Sequence, residues 1–429
     1  MTKVINFFKG HPTRQLLPTK QIADSFQKVL LTSDYLEYDS DLQNQHPLTY
    51  GTDPGNLQVR ETISQWVDKK FNPTTKTDPN CLNLTSGASY GIANTLASIT
   101  KVDITQRIFI VTPTYFLINS VFIDLGYEGK LTGINETHGQ EYEIDLAYLE
   151  QQLQTYSQGL DPVHDKINIF NDPNRGERKY YRFVIYLVPT FSNPGGLTYS
   201  LETRTRLVEL ARKYDMLIIS DDVYDLLDYT NKPLIPKFNQ IDRETVNKAG
   251  FGNTISNATF SKIIAPGLRV GWQETATPKL VAQLAVTGAN KSGGTPAQLS
   301  TFVVADLITT GEIEKIITKF NQTYSERAKV LIESVEKYLP PNTKVYGGNG
   351  GYFLWIELPI NNHQEIVDIL QTNHNVVLAG GEHFEVTGDE RNWGNNCVRV
   401  SISYLSKEEI EQGITIWGDV LKAKYPELY

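Results

Sequence analysis

The segment Thr259–Trp272 (TFSKIIAPGLRVGW) contains a lysine flanked by hydroxyl residues and followed by an arginine. Lys262 can form a Schiff base with an aldehyde cofactor if burial keeps its amine neutral. The hydroxyl groups of Thr259 and Ser261 and the guanidinium of Arg269 suit a dianionic phosphate. On spacing alone, a surface lysine in a Pro-Gly turn explains the pattern about equally well.

Two adjacent acids, Asp221 and Asp222, follow a short apolar run and precede Tyr224. Ligands of open α/β sheets lie at the carboxyl ends of the strands, so these side chains are candidates for a binding site. A carboxylate there can pair with a protonated pyridine nitrogen, and the phenol can hydrogen-bond the ring's 3-oxygen. Taken alone, a metal-binding Asp pair or a helix N-cap is the simpler explanation.

Two further segments carry weaker signals of the same kind. Pro189–Gly196 (PTFSNPGG) is first of all a turn after a strand, although Asn193 can hydrogen-bond a ligand at the strand end. Thr85–Tyr90 (TSGASY) opens a helix, where free backbone N–H groups form an anion site that Gly87 allows a ligand to approach closely. Neither segment is specific by itself.

Short apolar strands alternating with helices must position these four segments. The runs Arg107–Thr112, Arg182–Val188 and Met216–Ser220 have few polar interruptions, whereas Leu201–Tyr214 and Ser86–Thr100 have helical spacing. Fully apolar strands alternating with helices predict a parallel sheet covered on both faces.

The last third of the chain has a different pattern. A long amphipathic helix is predicted at Ile313–Leu339, followed by alternating strands at Gly351–Leu358 and Asn396–Ser403. This order predicts a second, smaller α+β unit. The polar stretch Gln152–Tyr181, rich in turn signals, is predicted to be a surface excursion of unassigned role.

Composition excludes several classes of function. A formal net charge of -9 disfavours nucleic acid and acidic membranes as partners, and no apolar run reaches the ~18 residues of a membrane span. The seven histidines show no ligand spacing, so no catalytic metal is predicted. Because Cys81 and Cys397 are far apart, we expect a reducing compartment and interpret the protein as soluble and cytoplasmic.

Taken together and in this order, the four segments resemble those of the fold-type-I, class I/II aminotransferases. The similarity runs from Gly10-His11-Pro12 to Val398-Arg399 and is greatest to the kynurenine and 2-aminoadipate aminotransferases and their fungal relatives. It implies an α/β fold like that of aspartate aminotransferase, with a mostly parallel seven-stranded sheet between helices. The implied domains are a large pyridoxal-phosphate-binding domain at 46–290 and a small α+β domain at 291–429, which the segment 1–45 joins.

The resemblance also implies roles for single residues. Lys262 would hold pyridoxal phosphate as a Schiff base, Asp221 would keep its ring nitrogen protonated, and Tyr224 and Asn193 would contact its 3-oxygen. Tyr115 would stack on the ring. The phosphate ligands implied are Gly87, Ala88, Ser89, Thr259, Ser261 and Arg269, with Ala88 standing where a serine is common. Tyr50 would reach the phosphate of the neighbouring subunit's cofactor, which implies a homodimer with shared sites.

The resemblance implies fewer roles for residues that bind the substrate. Arg399 would clamp the α-carboxylate, with Asn193 beside it, although an exposed strand arginine fits the bare sequence better. Arg14 could pair with an acidic side chain such as that of 2-aminoadipate or glutamate, but a solvated surface arginine is at least as good an interpretation. Aromatic substrates remain open because Tyr115 and Phe384 suit them equally well. Phe384 lies in Gly380–Phe384 (GGEHF), which departs from the family's Pro-Gly-x-x-Phe element and leaves substrate choice open.

The expected reaction is ping-pong transamination of an L-amino acid with a 2-oxo acid, 2-oxoglutarate being the expected acceptor. Two alternatives use the same residues or the same fold. One is another pyridoxal-phosphate reaction, a β-elimination or a decarboxylation. The other is a non-catalytic ligand sensor, which the acidic net charge and the presence of every catalytic residue type disfavour.

Overall fold

A seven-stranded sheet runs through the centre of the computed structural model, which describes residues 3–34 and 40–429. Its strand order is β2-β10-β9-β8-β7-β3-β4, and β10 is antiparallel to both of its neighbours while the other pairs are parallel. The strands are β2 Leu82–Thr85, β3 Arg107–Thr112, β4 Leu131–Asn135, β7 Phe183–Leu187, β8 Met216–Asp221, β9 Thr254–Thr259 and β10 Gly271–Thr275. The α/β architecture and the mostly parallel sheet predicted from the sequence are confirmed.

Helices cover both faces of this sheet because its strands are buried on both sides. One of them, Leu201–Tyr214, begins where the Ser200 side chain accepts a hydrogen bond from the Thr203 N–H, and ends at Asp215 in the left-handed conformation. The helices up to residue 291 are α1 Thr19–Thr32, α2 Leu57–Phe71, α3 Ala88–Ile99, α4 Ile118–Asp124, α5 Leu146–Tyr156, α6 Leu201–Tyr214, α7 Phe238–Thr245, α8 Pro278–Ala285 and α9 Gly288–Lys291.

A second sheet forms from the last third of the chain. It is antiparallel with the order β11-β12-β15-β14, and a separate two-stranded parallel pair joins β1 to β13. The strands are β1 Ile5–Asn6, β11 Lys344–Gly347, β12 Phe353–Glu357, β13 Val376–Val377, β14 Ala379–Gly380 and β15 Cys397–Ser401. The accompanying helices are α10 Gln298–Thr309, α11 Glu312–Tyr338, α12 His363–His374 and α13 Lys407–Lys424. Through β1, the start of the chain therefore packs with its last third.

The eight strands and helices predicted from the sequence lie within two residues of their observed bounds at each end. The polar excursion at 152–181 contains a feature that polarity alone did not predict, an antiparallel hairpin of β5 Ile169–Asp172 and β6 Gly176–Lys179. Lys179 at the end of the hairpin is buried and forms an ion pair of 2.6 Å with Asp215. Asp215 directly precedes β8, so the ion pair anchors the hairpin at the start of that strand. Among the described residues, no helix is long and apolar enough to cross a membrane.

Strand register brings the chemically interesting loops to one edge of the central sheet. Leu187 pairs with Ser220, Asp221 pairs with Asn257, and Thr259 pairs with Gly271. The loops after β3, β7, β8 and β9 consequently lie side by side. The start of α3, after β2, and Arg269, before β10, reach the same edge.

Candidate active site

A cavity of about 360 Å³ lies at this edge, between the central sheet, the N-terminal segment and the second sheet. Most of the side chains singled out from the sequence line it. They are Ala88, Ser89, Tyr115, Asn193, Asp221, Tyr224, Thr259, Ser261, Lys262, Arg269 and Arg399. Residues that are up to 311 positions apart in the chain thus share one cavity because the strand ends converge there.

Lys262 follows β9 and points into the cavity. Its ammonium group donates a hydrogen bond to the Gly10 carbonyl oxygen at 3.2 Å and lies 5.3 Å from the centre of the Tyr352 ring. Burial, helped by the positive charge of Arg399, lowers the pKa of Lys262 to about 8. A sizeable fraction of the amine is therefore neutral near neutral pH, as nucleophilic or basic chemistry requires.

Asp221 ends β8 with its carboxylate buried under the cavity. Its two oxygens accept hydrogen bonds from the Tyr186 hydroxyl at 2.8 Å and from the Asn257 side-chain amide at 3.0 Å. Burial raises the pKa of Asp221 to about 6, and these two donors act against the rise. Sequence reasoning missed both partners, although an asparagine inside the buried strand β9 was a usable signal.

Asp222 points away from the cavity. Its carboxylate accepts hydrogen bonds from the hydroxyl groups of Ser220 and Ser256 and lies 4.0 Å from the ammonium group of the buried Lys237. Burial, with the nearby charge of Asp225, raises the pKa of Asp222 to about 7. The two adjacent acids thus face different surroundings. In the part of the chain that the structure describes, no three His, Cys, Asp or Glu side chains form a possible metal site.

An anion site lies at the start of α3. Gly87, with φ of 90°, precedes the helix, and the backbone N–H groups of its first turn have no acceptor within the helix. The Arg269 guanidinium donates to the Ser261 hydroxyl at 3.3 Å and to the Ser86 carbonyl at 3.1 Å, and the Thr259 hydroxyl donates to Ser261 at 2.9 Å. Glycine is favoured at residue 87 because of its positive φ, and a Cβ there would also displace the guanidinium.

Arg399, in the middle of β15, is nearly fully buried with an incomplete set of partners. One guanidinium nitrogen donates to the Asn193 side-chain oxygen at 3.0 Å and another to the Phe8 carbonyl at 2.7 Å, while Nε has no partner. Burial lowers the pKa of Arg399 to about 10. A buried guanidinium with a free donor suits an incoming carboxylate.

Two phenols complete the cavity. Tyr115 lies at its side with its hydroxyl hydrogen-bonded to Ser89, and Tyr224 is almost completely buried beside Phe353, at 6.1 Å between ring centres. Burial raises the pKa of both phenols, so both stay neutral and can donate hydrogen bonds.

Like Asp222, three other residues singled out from the sequence do not line this cavity. Tyr50 is 81% exposed and its ring lies beside Gly293, and Arg14 is exposed in a short 3-10 helix, Arg14–Leu16. Phe384 is buried behind the guanidinium, 4.8 Å from it, and does not form the cavity wall.

The apolar wall comes instead from side chains that sequence reasoning did not select: Phe8, Phe116, Ile118, Val121 and Phe353. These residues carry no motif of their own and lie at three distant places in the sequence. Phe8 reaches the same cavity as Phe353 because the preceding residue, Phe7, is hydrogen-bonded through its carbonyl to Ser401 of the second sheet.

Comparisons with known proteins identify the family and the fold. The family model described as Aminotransferase class I and II matches residues 3–416. An uncharacterized protein of Saccharomyces cerevisiae is 46% identical over 98% of this chain and 97% of its own length. Aromatic-amino-acid aminotransferase 1 of Thermococcus litoralis is 27% identical over 98% of this chain and 88% of its own length. The crystal structure of a multiple substrate aminotransferase from Thermococcus profundus has the same fold, with a TM-score of 0.77 at 23% identity, covering 100% of this chain and 93% of that one.

Proposed function

The chain belongs to the class I and II aminotransferases, and we propose that it transfers the amino group of an L-amino acid to a 2-oxo acid with pyridoxal phosphate. One observation carries the proposal. A buried lysine with a lowered pKa, a buried carboxylate, an anion site and a buried arginine with a free donor all line the same cavity.

The residues fit pyridoxal phosphate group by group. The N–H groups at the start of α3, with Ser261, Thr259 and Arg269, suit the phosphate dianion, whose charge the helix N-terminus also favours. Asp221 suits a protonated ring nitrogen, because pairing with a cation restores the carboxylate that burial disfavours.

The other groups of the cofactor also find suitable neighbours. Tyr224 and Asn193 supply hydrogen-bonding groups for the ring's 3-oxygen, and Tyr115 lies at the side of the cavity where it can stack on the ring. Lys262 provides a partly neutral amine for the aldehyde.

When bound, pyridoxal phosphate supplies an aldehyde that condenses with the substrate amine and a ring that accepts electrons from Cα. The chain's residues then orient the substrate and move its protons. Arg399 and Asn193 hold the α-carboxylate, which fixes Cα over the Lys262 side chain. The Lys262 amine would take the proton from Cα and deliver it to the carbon of the cofactor that carried the aldehyde, because its lowered pKa lets it act as base and then as acid near neutral pH.

We propose an aromatic or other large apolar amino acid as the substrate. Phe8, Phe116, Val121 and Ile118 form an apolar wall of the cavity, and the exposed Arg14 does not line it. The alternative substrate, 2-aminoadipate, would need a cation for its distal carboxylate, and the exposed Lys9 at the cavity is the candidate. 2-Oxoglutarate is the proposed amino acceptor, and Lys9 is also the candidate partner for its distal carboxylate.

We propose a homodimer with shared sites. Leu31, Leu42, Leu48 and Tyr50 are all more than 60% exposed and lie in one stretch of the chain, which a second copy would cover. Tyr50 would then be the residue that reaches the partner's cofactor phosphate. The domain division at 46–290 and 291–429, with 1–45 joining the smaller part, and the cytoplasmic location stay predictions.

The test is the visible absorption spectrum of the purified protein before and after addition of single amino acids. We expect a band that phenylalanine or tyrosine bleaches and that 2-oxoglutarate restores, with 2-aminoadipate and glutamate run in parallel. Lys262→Ala should abolish the exchange, whereas Lys248→Ala, on the exposed surface, should behave as wild type.

Each other outcome has a definite meaning. Release of ammonia or carbon dioxide without a pyridoxamine form would replace the proposal with a lyase or a decarboxylase. Bleaching without turnover would favour a ligand sensor. Absence of any band with added pyridoxal phosphate would reject the cofactor.

A further inference from the structure

Glu136 is a buried carboxyl group that the proposed reaction does not use. It directly follows β4, and its backbone N–H donates to the Thr112 carbonyl at the end of β3 at 2.9 Å. Its Oε1 accepts a hydrogen bond from the Tyr199 hydroxyl at 3.1 Å, and the Ser192 hydroxyl also hydrogen-bonds the carboxyl group. Its Oε2 is buried and has no hydrogen-bond partner.

Ser192 and Gly195, which both contact Glu136, lie in the loop of residues 192–197 that carries Asn193, the Asn193 loop. Ser192 closes this loop, since its N–H donates to the Leu197 carbonyl at 2.8 Å and its hydroxyl accepts from the Leu197 N–H at 3.0 Å. Within the loop, Gly195 packs directly against Oε2 of Glu136, and a Cβ at that position would overlap the carboxyl oxygen. Glu136 therefore contacts the loop on both sides of Asn193.

Asn193 in turn directs the Arg399 guanidinium. Its side-chain oxygen accepts a hydrogen bond from the guanidinium at 3.0 Å, and the second acceptor is the Phe8 carbonyl at 2.7 Å. A shift of the Asn193 loop would remove one of these two acceptors and let the guanidinium rotate from its present direction at the cavity. The direction of the guanidinium thus depends on the loop that Glu136 supports.

We propose that Glu136 is a positioning residue, which holds the Asn193 loop so that the Arg399 guanidinium faces the substrate's α-carboxylate. The proposal rests on the proposed function, because that function supplies the carboxylate. Glu136 itself does not touch substrate or cofactor: it acts through Ser192, Gly195 and Asn193.

The surroundings of Glu136 give this role a pH dependence. Burial raises the pKa of Glu136 to about 7, against the hydrogen bonds from Ser192 and Tyr199. Of the neighbouring titratable groups, Tyr199 contacts it, Glu143 and Arg204 act on Tyr199, and Arg391 bonds the adjacent Asn135.

No cation among the described residues pairs with the carboxyl group of Glu136. As the pH rises through about 7, an uncompensated charge therefore builds up against the Gly195 backbone and should loosen the loop.

The experiment measures binding of 3-phenylpropanoate to the cofactor-free protein by calorimetry, at about pH 6 and about pH 8.5 on either side of the Glu136 titration. The neutral 3-phenylpropanamide serves as the matched probe without a carboxylate. The variants are Glu136→Gln, which stays neutral at both pH values, and Glu136→Ala, which removes the contact. Gly195→Ala displaces the carboxyl group from the other side, and Glu150→Gln, on the surface of α5, is the control substitution.

We expect wild-type and Glu150→Gln proteins to bind the carboxylate probe several-fold more weakly at the higher pH. Glu136→Gln should lose most of this pH dependence and keep only the part that the titration of Lys262 and Asp221 in the cavity contributes. Glu136→Ala and Gly195→Ala should bind roughly tenfold more weakly at both pH values. The amide probe should be unaffected by any of these changes. In turnover, Glu136→Ala should raise KM for the amino acid with little change in kcat, and Glu136→Gln should restore KM.

The proposal is overturned if Glu136→Gln keeps the wild-type pH dependence, or if a folded Glu136→Ala protein binds the carboxylate as wild type does. Equal loss of carboxylate and amide binding would also overturn it, as this would show a general structural role. Wild-type protein that binds neither probe would reject the Arg399 site and the proposal with it. If the protein shows the expected binding pattern but carries out no transamination, the proposed function is rejected and the role of Glu136 is retained.

Discussion

Asp221 illustrates how one residue can be buried and still remain useful as an anion. Burial alone favours its neutral form, and the hydrogen bonds from Tyr186 and Asn257 partly offset this by stabilising the ionised form. Both donors come from strands that neighbour β8, Tyr186 from β7 and Asn257 from β9. The sheet therefore does more than position the carboxylate, because it also sets the pH range in which the carboxylate is ionised.

Tyr186→Phe should shift that pH range upward. The pKa of Asp221 stands at about 6 with the phenol present, so loss of one donor to the ionised form should raise it by roughly 0.5–1 unit. Cofactor affinity should fall as the pH drops through this pKa, because a protonated Asp221 cannot pair with the ring nitrogen. Titration of cofactor-free protein with pyridoxal phosphate across the pH range measures the shift. Tyr214→Phe, on the far side of α6, is the control, and an acid limb unchanged from wild type would contradict the assignment.

Local patterns made Lys262 and Asp221 candidates, and the family resemblance added Arg399; the structure places all three at one cavity. The sequence did not predict Tyr186, Asn257 or Glu136. Their roles arise from contacts across strands or between distant loops, and no local spacing encodes such contacts. Arg14 shows the converse, since its position in the N-terminal segment suggested a pocket contact that the exposed 3-10 helix does not make.

At the level of elements, side-chain hydrogen bonds join the ends of β8 and β9 on the face of the sheet opposite Asp221. Asp222 accepts hydrogen bonds from Ser220 of β8 and Ser256 of β9, the residues just before Asp221 and Asn257. Lys237, at the start of α7, balances the charge: its ammonium group lies 3.6 Å from Asp225 and 3.3 Å from the Ser256 hydroxyl. The cluster of Asp222, Asp225 and Lys237 thus joins two strands and a helix.

Lys237→Met should destabilise the protein by about 3–5 kcal/mol, because it leaves two carboxylates buried without their cation. Urea denaturation at neutral pH measures the change in the free energy of unfolding. Lys248→Met, on the exposed surface, should stay within about 0.5 kcal/mol of wild type. Adding Asp222→Asn to Lys237→Met should recover part of the loss. A cost below about 1 kcal/mol would show that the carboxylates are already protonated or solvated.

Helices and strands were predictable where burial gives the apolar residues of the sequence a regular spacing or an unbroken run. The strand Arg107–Thr112 and the helix Leu201–Tyr214 were located without error, since the strand is apolar between its two end residues and the helix has regular apolar spacing. The hairpin β5–β6 was missed because its residues are mostly exposed and polar, so hydrophobic spacing could not reveal it. The antiparallel direction of β10 is set by its pairing with β2 and β9, which local pattern does not encode.

Over the whole molecule, the N-terminal segment joins the two sheets at the cavity. Phe7 is fully buried against α13 and its carbonyl accepts a hydrogen bond from Ser401 of β15. The next residues reach the site itself: the Phe8 carbonyl accepts from Arg399 and the Gly10 carbonyl accepts from Lys262. The first residues of the chain therefore contact both the proposed base and the proposed carboxylate ligand.

This arrangement predicts that Phe7 affects catalysis although its side chain does not line the cavity. Phe7→Leu should lower the free energy of unfolding by about 1–2 kcal/mol, because a smaller side chain packs less well in the same site. Loosening of the segment should move the Phe8 carbonyl and raise KM for the amino acid several-fold, with a smaller effect on kcat. Phe109→Leu, in the separate core around β3, is the matched control: it should cost similar stability and leave KM unchanged. If both variants changed KM equally, general destabilisation would explain the effect, and the N-terminal segment would have no special role in holding Arg399.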